Sequence, residues 1–147
     1  MNMLPETNLG SSAIGADYPP FSIVEMSGNS NQSLVRALFI VEAASQLGAH
    51  ALKIQTYTPD TTTLELDELE FLVADKRNQW TGSSLYKLCG QAYTPWDWHK
   101  PIFEHARKLE LIPFSTPFDD SAVDFLEALN VPCCTIDSFE NADLPPT

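Results

Sequence analysis

Basic side chains are scarce in this sequence: eight lysines and arginines stand against twenty aspartates and glutamates, a formal net charge of −12. That balance speaks against nucleic acid, which rewards basic patches, and it fits poorly with an anionic membrane surface. A diffuse acidic surface mainly favours solubility. No apolar run reaches about 18 residues, so no membrane-spanning helix is expected. Met1–Pro20 lacks the basic region and apolar core of a secretory signal. Cysteine is limited to Cys89, Cys133 and Cys134, without CxxC spacing. Neighbouring residues of a strand point to opposite faces, so the expectation is reduced, largely buried thiols in a cytoplasmic protein. His50, His99 and His105 offer no paired ligand spacing with them, which argues against zinc. Length is short as well: 147 residues imply one domain, whereas a complete eight-stranded βα barrel usually takes about 250.

What is present is a repeated rhythm of apolar run, polar tip and helix. Strands are expected over 21–25, 50–56, 111–115 and 132–137. A helix over 33–47 has Asn31 or Ser33 as cap, Leu34, Leu38, Val41 and Leu47 as its buried stripe, and Gly48 at the position after its end. A second helix begins near Thr94-Pro95, buries Trp98, Ile102, Phe103, Ala106 and Leu109, and is kinked or restarted by Pro101. A third spans 119–129, capped by Asp119 or Asp120, with Ala122, Leu126 and Leu129 facing a sheet. Between 57 and 93 lies a long excursion with a turn at Thr58-Pro59-Asp60, short helices over 64–73 and 83–89, and an exposed loop over 80–84. The acidic cluster Glu65–Glu70 reads as a solvated face. Residues 1–19 read as a loose lead-in and 20–147 as the domain. The fold class is α/β, with parallel βα units forming about half of a TIM barrel.

In such folds ligands sit at the carboxyl ends of the strands. Lys53 is the sharpest candidate, because a buried parallel strand is otherwise apolar. Its ammonium either snorkels to water or holds a phosphate or carboxylate. Gln55 faces the same side of the strand. Glu25 ends the first strand as a partner for Lys53, a cap, or a base in the mouth of the sheet. Ser115, Thr116, Ser138 and Glu140 complete the polar set expected to project into that mouth.

Five blocks carry a family likeness. They are Val-Glu-Met-Ser-Gly-Asn-x-Asn-Gln-Ser at 24–33, Gly-Ala-His-Ala-Leu-Lys-Ile-Gln-Thr-Tyr-Thr-Pro-Asp at 48–60, Ala-Tyr-Thr-Pro-Trp-x-Trp-His-Lys-Pro-Ile-Phe at 92–103, Phe-Ser-Thr-Pro-Phe-Asp at 114–119 and Ser-Phe-Glu-Asn at 138–141. In this order they resemble the sialic acid synthase family, its pseudaminic acid branch in particular, from about residue 20 onward. The resemblance implies the amino half of a TIM barrel. It also implies condensation of phosphoenolpyruvate with an N-acylated sugar to a nonulosonic acid, in carbohydrate biosynthesis. By position, Lys53, Thr116 and Ser138 are implied phosphoenolpyruvate contacts, Gln55 and Glu140 sugar contacts, and Glu25 the carboxylate that handles protons. The family's divalent metal, typically manganese, would polarise the sugar aldehyde. Its ligands belong to a second half of the family pattern and are absent from this chain.

Three departures stand out. The family's histidine in the first block is Ser30 here, a lysine of its fourth strand is Thr135, and Asp137 adds a negative charge beside Ser138. The last two should weaken binding of a multiply charged anion. The chain is therefore expected to be inactive alone and to need a complementing half or a second copy. The alternative is a non-catalytic module that binds through exposed sheet edges.

Overall fold

The computed structural model describes residues 6–77 and 80–138. Two short strands, β1 (Thr7–Leu9) and β2 (Ser12–Ile14), pair antiparallel with Leu9 opposite Ser12. The lead-in thus holds more order than its composition suggests. The two residues between the strands are Gly10-Ser11, a two-residue hairpin signal, and Gly10 lies against the Ile112 side chain.

β3 (Ile23–Glu25) opens the parallel sheet. Ser30 is buried in the 3-10 turn Ser27–Ser30 that follows. α1 (Leu34–Gln46) is capped by the Ser33 side chain, which accepts from the Arg36 N–H, and Gly48 follows with φ +77°. β4 (Ala51–Thr56) pairs parallel with β3. α2 (Pro59–Thr62) converts the expected Thr-Pro-Asp turn into one helical turn with a Thr58–Thr61 capping box. α3 (Leu85–Ala92) is capped by Ser84. α4 (Trp96–Lys108) leads to β5 (Ile112–Pro117), and α5 (Asp120–Ala128) starts from Asp119, whose carboxylate accepts from the Ala122 N–H. The sheet order is β3–β4–β5 with every pair parallel, so the α/β class holds.

Several elements differ from expectation for physical reasons. The strand over 132–137 is reduced to one parallel bridge, Cys134 to Ser115, with the Thr135 N–H donating to the Ser115 carbonyl at 3.1 Å. Pro132 has no N–H to give a ladder. The helix over 64–73 shrinks to a 3-10 turn at Leu69–Phe71. Glu65 and Glu68, and Asp67 and Glu70, would be like-charged neighbours on a helix face. Pro101 lies inside α4 without ending it, because the ladder bond it forgoes is to the Asp97 carbonyl in the first turn. Leu47, assigned to the α1 stripe, is 85% exposed, and the buried face is Ala37, Val41 and Ala44. Cys134, expected to be largely buried, is exposed.

The core lies between the sheet and its helices. Leu52 and Ile54 of β4 meet Ala37, Val41 and Ala44 of α1 and Ile102, Phe103 and Ala106 of α4. The alanines let the helices approach closely, and each large side chain contributes roughly 1.5–3 kcal/mol by burial. α3 closes over the turn after β3: the Gln32 side-chain amide donates to the Tyr93 carbonyl at 2.7 Å and the Gln91 carbonyl at 3.2 Å. Gly28 makes this approach possible, since a Cβ there would stand 3.0 Å from the Ala92 Cβ and 3.1 Å from its carbonyl oxygen. Gly28→Ala should cost about 1–3 kcal/mol, read as a lower midpoint in chemical denaturation at unchanged slope.

Candidate active site

The register of the sheet decides which side chains share a face. Glu25 lies beside Lys53, and Gln55 beside Thr116. Side chains alternate across a strand, so Lys53 and Gln55 face away from the helices while Leu52, Ile54 and Thr56 are fully buried against them. Lys53 Nζ meets Glu25 Oε2 at 2.8 Å, with the two side chains 24% and 41% exposed. A pair this open contributes at most about 1 kcal/mol to stability, and the ammonium keeps further N–H donors for a ligand. Of the readings open for Glu25, the partner to Lys53 is the one observed. One layer on, the Ser27 hydroxyl donates to Gln55 Oε1 at 3.3 Å. The Thr116 hydroxyl is hydrogen-bonded to that of Thr135. Thr135, where the likeness has a lysine, therefore anchors the Thr116 hydroxyl instead of adding a cation.

Glu25, Lys53, Gln55 and Thr116 are thus gathered at one end of the sheet. Other candidates are not. Ser115 faces the helix layer, where its hydroxyl donates to the Ile54 carbonyl at 2.9 Å. Ser138 is exposed, and its hydroxyl donates to Asp137 Oδ1 beside it at 3.4 Å. Glu140 lies outside the described residues. Among the described residues no group of three or more His, Cys, Asp and Glu side chains is placed to hold a metal ion. His50 accepts from the Ser22 N–H at 3.0 Å, at the start of β4, away from this end. His105 meets Glu42 at 3.2 Å in the outer helix layer.

A model of the NeuB family matches residues 40–146. The chain belongs to the NeuB family. It is 43% identical over 126 residues to the pseudaminic acid synthase of Helicobacter pylori, covering 86% of this chain and 36% of that protein. It is 32% identical over 134 residues to the N,N'-diacetyllegionaminic acid synthase of Legionella pneumophila, covering 89% of this chain and 36% of that one. The chain therefore spans about a third of the length of the curated relatives it matches. Its fold is similar to the N-acetylneuraminic acid synthetase of Leptospira borgpetersenii, solved in complex with citrate. The TM-score is 0.77 at 25% identity, with 96% of this chain and 44% of that one covered. The α/β sheet is thus part of a TIM-barrel domain of this family.

Behind the strand ends lies a buried relay: Ser115 Oγ and Thr56 Oγ1 are 2.6 Å apart, and Thr56 Oγ1 and His99 Nε2 2.8 Å apart. A neutral imidazole carries one N–H, and His99 faces the Thr56 hydroxyl with Nε2 and the Pro95 carbonyl with Nδ1 at 3.3 Å, so the direction of the Thr56 bonds follows the tautomer. His99 lies on the α4 stripe with Ile102, Phe103 and Ala106, an i, i+3, i+4, i+7 spacing that could have revealed it beside Trp98, which packs half-buried against the core. Burial depresses its pKa to about 4, outweighing hydrogen bonds at Pro95 and Trp96 that act the other way. The unfolded chain therefore takes up this proton at higher pH than the folded one. Stability should fall as pH drops from about 6.5 to about 4, by roughly 3 kcal/mol from this group. His99→Gln should remove that part of the slope, measured as the difference between the two proteins in denaturation midpoints across the window.

Proposed function

We propose that this chain supplies the amino-terminal part of the site of a nonulosonic acid synthase, joining phosphoenolpyruvate to an N-acylated sugar with release of phosphate. The observation that carries this reading is the Lys53–Glu25 pair at the strand ends, with Gln55 and Thr116 in register above it. The Lys53 ammonium and the Thr116 hydroxyl suit the phosphate and carboxylate of phosphoenolpyruvate. Gln55 suits the sugar, and Glu25, tied to Lys53, is the group within reach to move a proton. Ser138 and Glu140 keep their assignments to phosphoenolpyruvate and sugar within this proposal. A divalent metal, manganese by family resemblance, finds no cluster of His, Cys, Asp and Glu ligands among the described residues.

Completion of the site falls to further βα units of the same domain. Two surfaces suit them. The free edge of β3 carries Ile23, 48% exposed, and α1 shows Val35 and Phe39, each 64% exposed. These units would come from a longer chain, a complementing half or a second copy. The same surfaces favour the second reading, a non-catalytic module that binds through them. A stable, monodisperse monomer that no such polypeptide engages would count against both.

Calorimetric titration with phosphoenolpyruvate tests the site, alone and with a polypeptide carrying the rest of a relative's domain. Lys53→Ala should weaken binding at least tenfold. Glu25→Gln should tighten it by removing a competing negative charge. Equal affinity in wild type and Lys53→Ala, or no binding even when the domain is completed, would sink the proposal.

A further inference from the structure

We infer that Ser27 is a positioning residue: its hydroxyl fixes the orientation of the Gln55 amide, so that Gln55 offers N–H donors, and not its carbonyl, to the sugar. The inference rests on the reading of Gln55 as a sugar contact. Three observations meet here. Ser27 holds φ +48°, a left-handed conformation uncommon for a residue with a side chain, and Asn31 and Gln32 in the same loop hold +48° and +52°. The Ser27 hydroxyl donates to Gln55 Oε1 at 3.3 Å. The loop is clamped from outside by α3, through the Gly28–Ala92 approach and the Gln32 bonds to Gln91 and Tyr93. On its inner side the sheet pattern continues into it, the Met26 N–H donating to the Lys53 carbonyl at 2.9 Å.

Glycine would occupy this backbone without strain. Serine brings a hydroxyl at the expense of an unfavourable φ, and that hydroxyl is spent on Gln55. An amide has one acceptor end and one donor end. A serine hydroxyl can donate or accept; here it lies on Oε1, which leaves the Nε2 end for the mouth. Gln55 then selects an acceptor, such as the carbonyl oxygen of an N-acyl group or a hydroxyl oxygen. The clamp by α3, through Gly28–Ala92 and the Gln32 bonds, holds this loop against the sheet. This separates strain that serves the site from strain that merely closes a turn.

Four proteins test this, each as the full chain: wild type, Ser27→Gly, Ser27→Asn and Ser27→Asp. Asn and Asp both tolerate the left-handed backbone, but only Asn retains a donor for Gln55 Oε1. The first readout is the Gln55 side-chain NH2 pair in 15N–1H spectra, assigned through Gln55→Ala. The Asn variant should keep its positions, whereas Gly and Asp should move them, and Ser27→Gly should raise the melting midpoint. The second readout is the affinity for N-acetylmannosamine and for phosphoenolpyruvate. Ser27→Gly should bind the sugar about tenfold more weakly, the equivalent of one lost hydrogen bond, with phosphoenolpyruvate affinity unchanged. Gln55 signals that stay in place in Ser27→Gly and Ser27→Asp would overturn the role of Ser27. So would moved signals with unchanged sugar affinity. If no protein binds the sugar even with a polypeptide carrying the rest of a relative's domain, the reading of the site fails instead, and the spectra decide Ser27 by themselves.

Discussion

The parity of β4 is the constraint on which the rest depends. As the middle strand, it is paired on both sides and cannot slip without turning every side chain over. Its even positions, Leu52, Ile54 and Thr56, are all fully buried against the helices; of its odd positions Ala51 is also buried, and Lys53 and Gln55, nearer the carboxyl end, are left half-open. A slip of one residue would drive the Lys53 ammonium into the core of Ile102 and Phe103 while exposing Ile54. Desolvating that charge would cost far more than the core could recover. The apolar packing of the helix layer therefore holds the charged side chains of the opposite face in position.

The relay through His99, Thr56 and Ser115 uses the same parity. Polar groups at the outer ends of β4 and β5 would be costly under α4 if unpaired. They satisfy one another instead, ending on the Ile54 carbonyl. The relay joins helix to both strands at the level where Gln55 and Thr116 emerge. It fixes the relative height of the two strand ends more tightly than dispersion contacts alone, because hydrogen bonds fail within a few tenths of an ångström.

The three central strands, the helices and the gathering of Glu25, Lys53, Gln55 and Thr116 were legible because each rests on local signals: period two in the strands, helix caps at Ser33 and Asp119, and polar residues at strand ends. What was not legible depended on tertiary partners. Cys134 to Asp137 has a strand-like composition, but pairing needs ladder donors, and Pro132 withholds one at the start. Ser115 and Thr116 look equivalent as a Ser-Thr pair; only the register with Ile54 and Gln55 sends one outward and one inward. His99 was weighed only as a metal ligand, and although periodicity can show that it is buried, it cannot show that a threonine hydroxyl waits for it. The Ser27 link was hidden for the same reason, since nothing local announces a left-handed serine.

In the proposed function, the charge carried by the strands bears on how phosphoenolpyruvate is held. Across β3, β4 and β5 the ionisable residues are Glu25 and Lys53, which sum to zero and are bound to each other. An anion that carries both a phosphate and a carboxylate meets one cation already engaged by a carboxylate. Thr135 deepens the deficit, since it spends its hydroxyl on Thr116 where the family resemblance has a second ammonium. Oriented hydroxyls can hold an anion's geometry, but they do not offset its charge at these distances. Further positive charge must then come from groups beyond these strands. Within the proposed function, the chain's strands orient the ligand and give part of its affinity through Lys53, and the rest comes from what surrounds them.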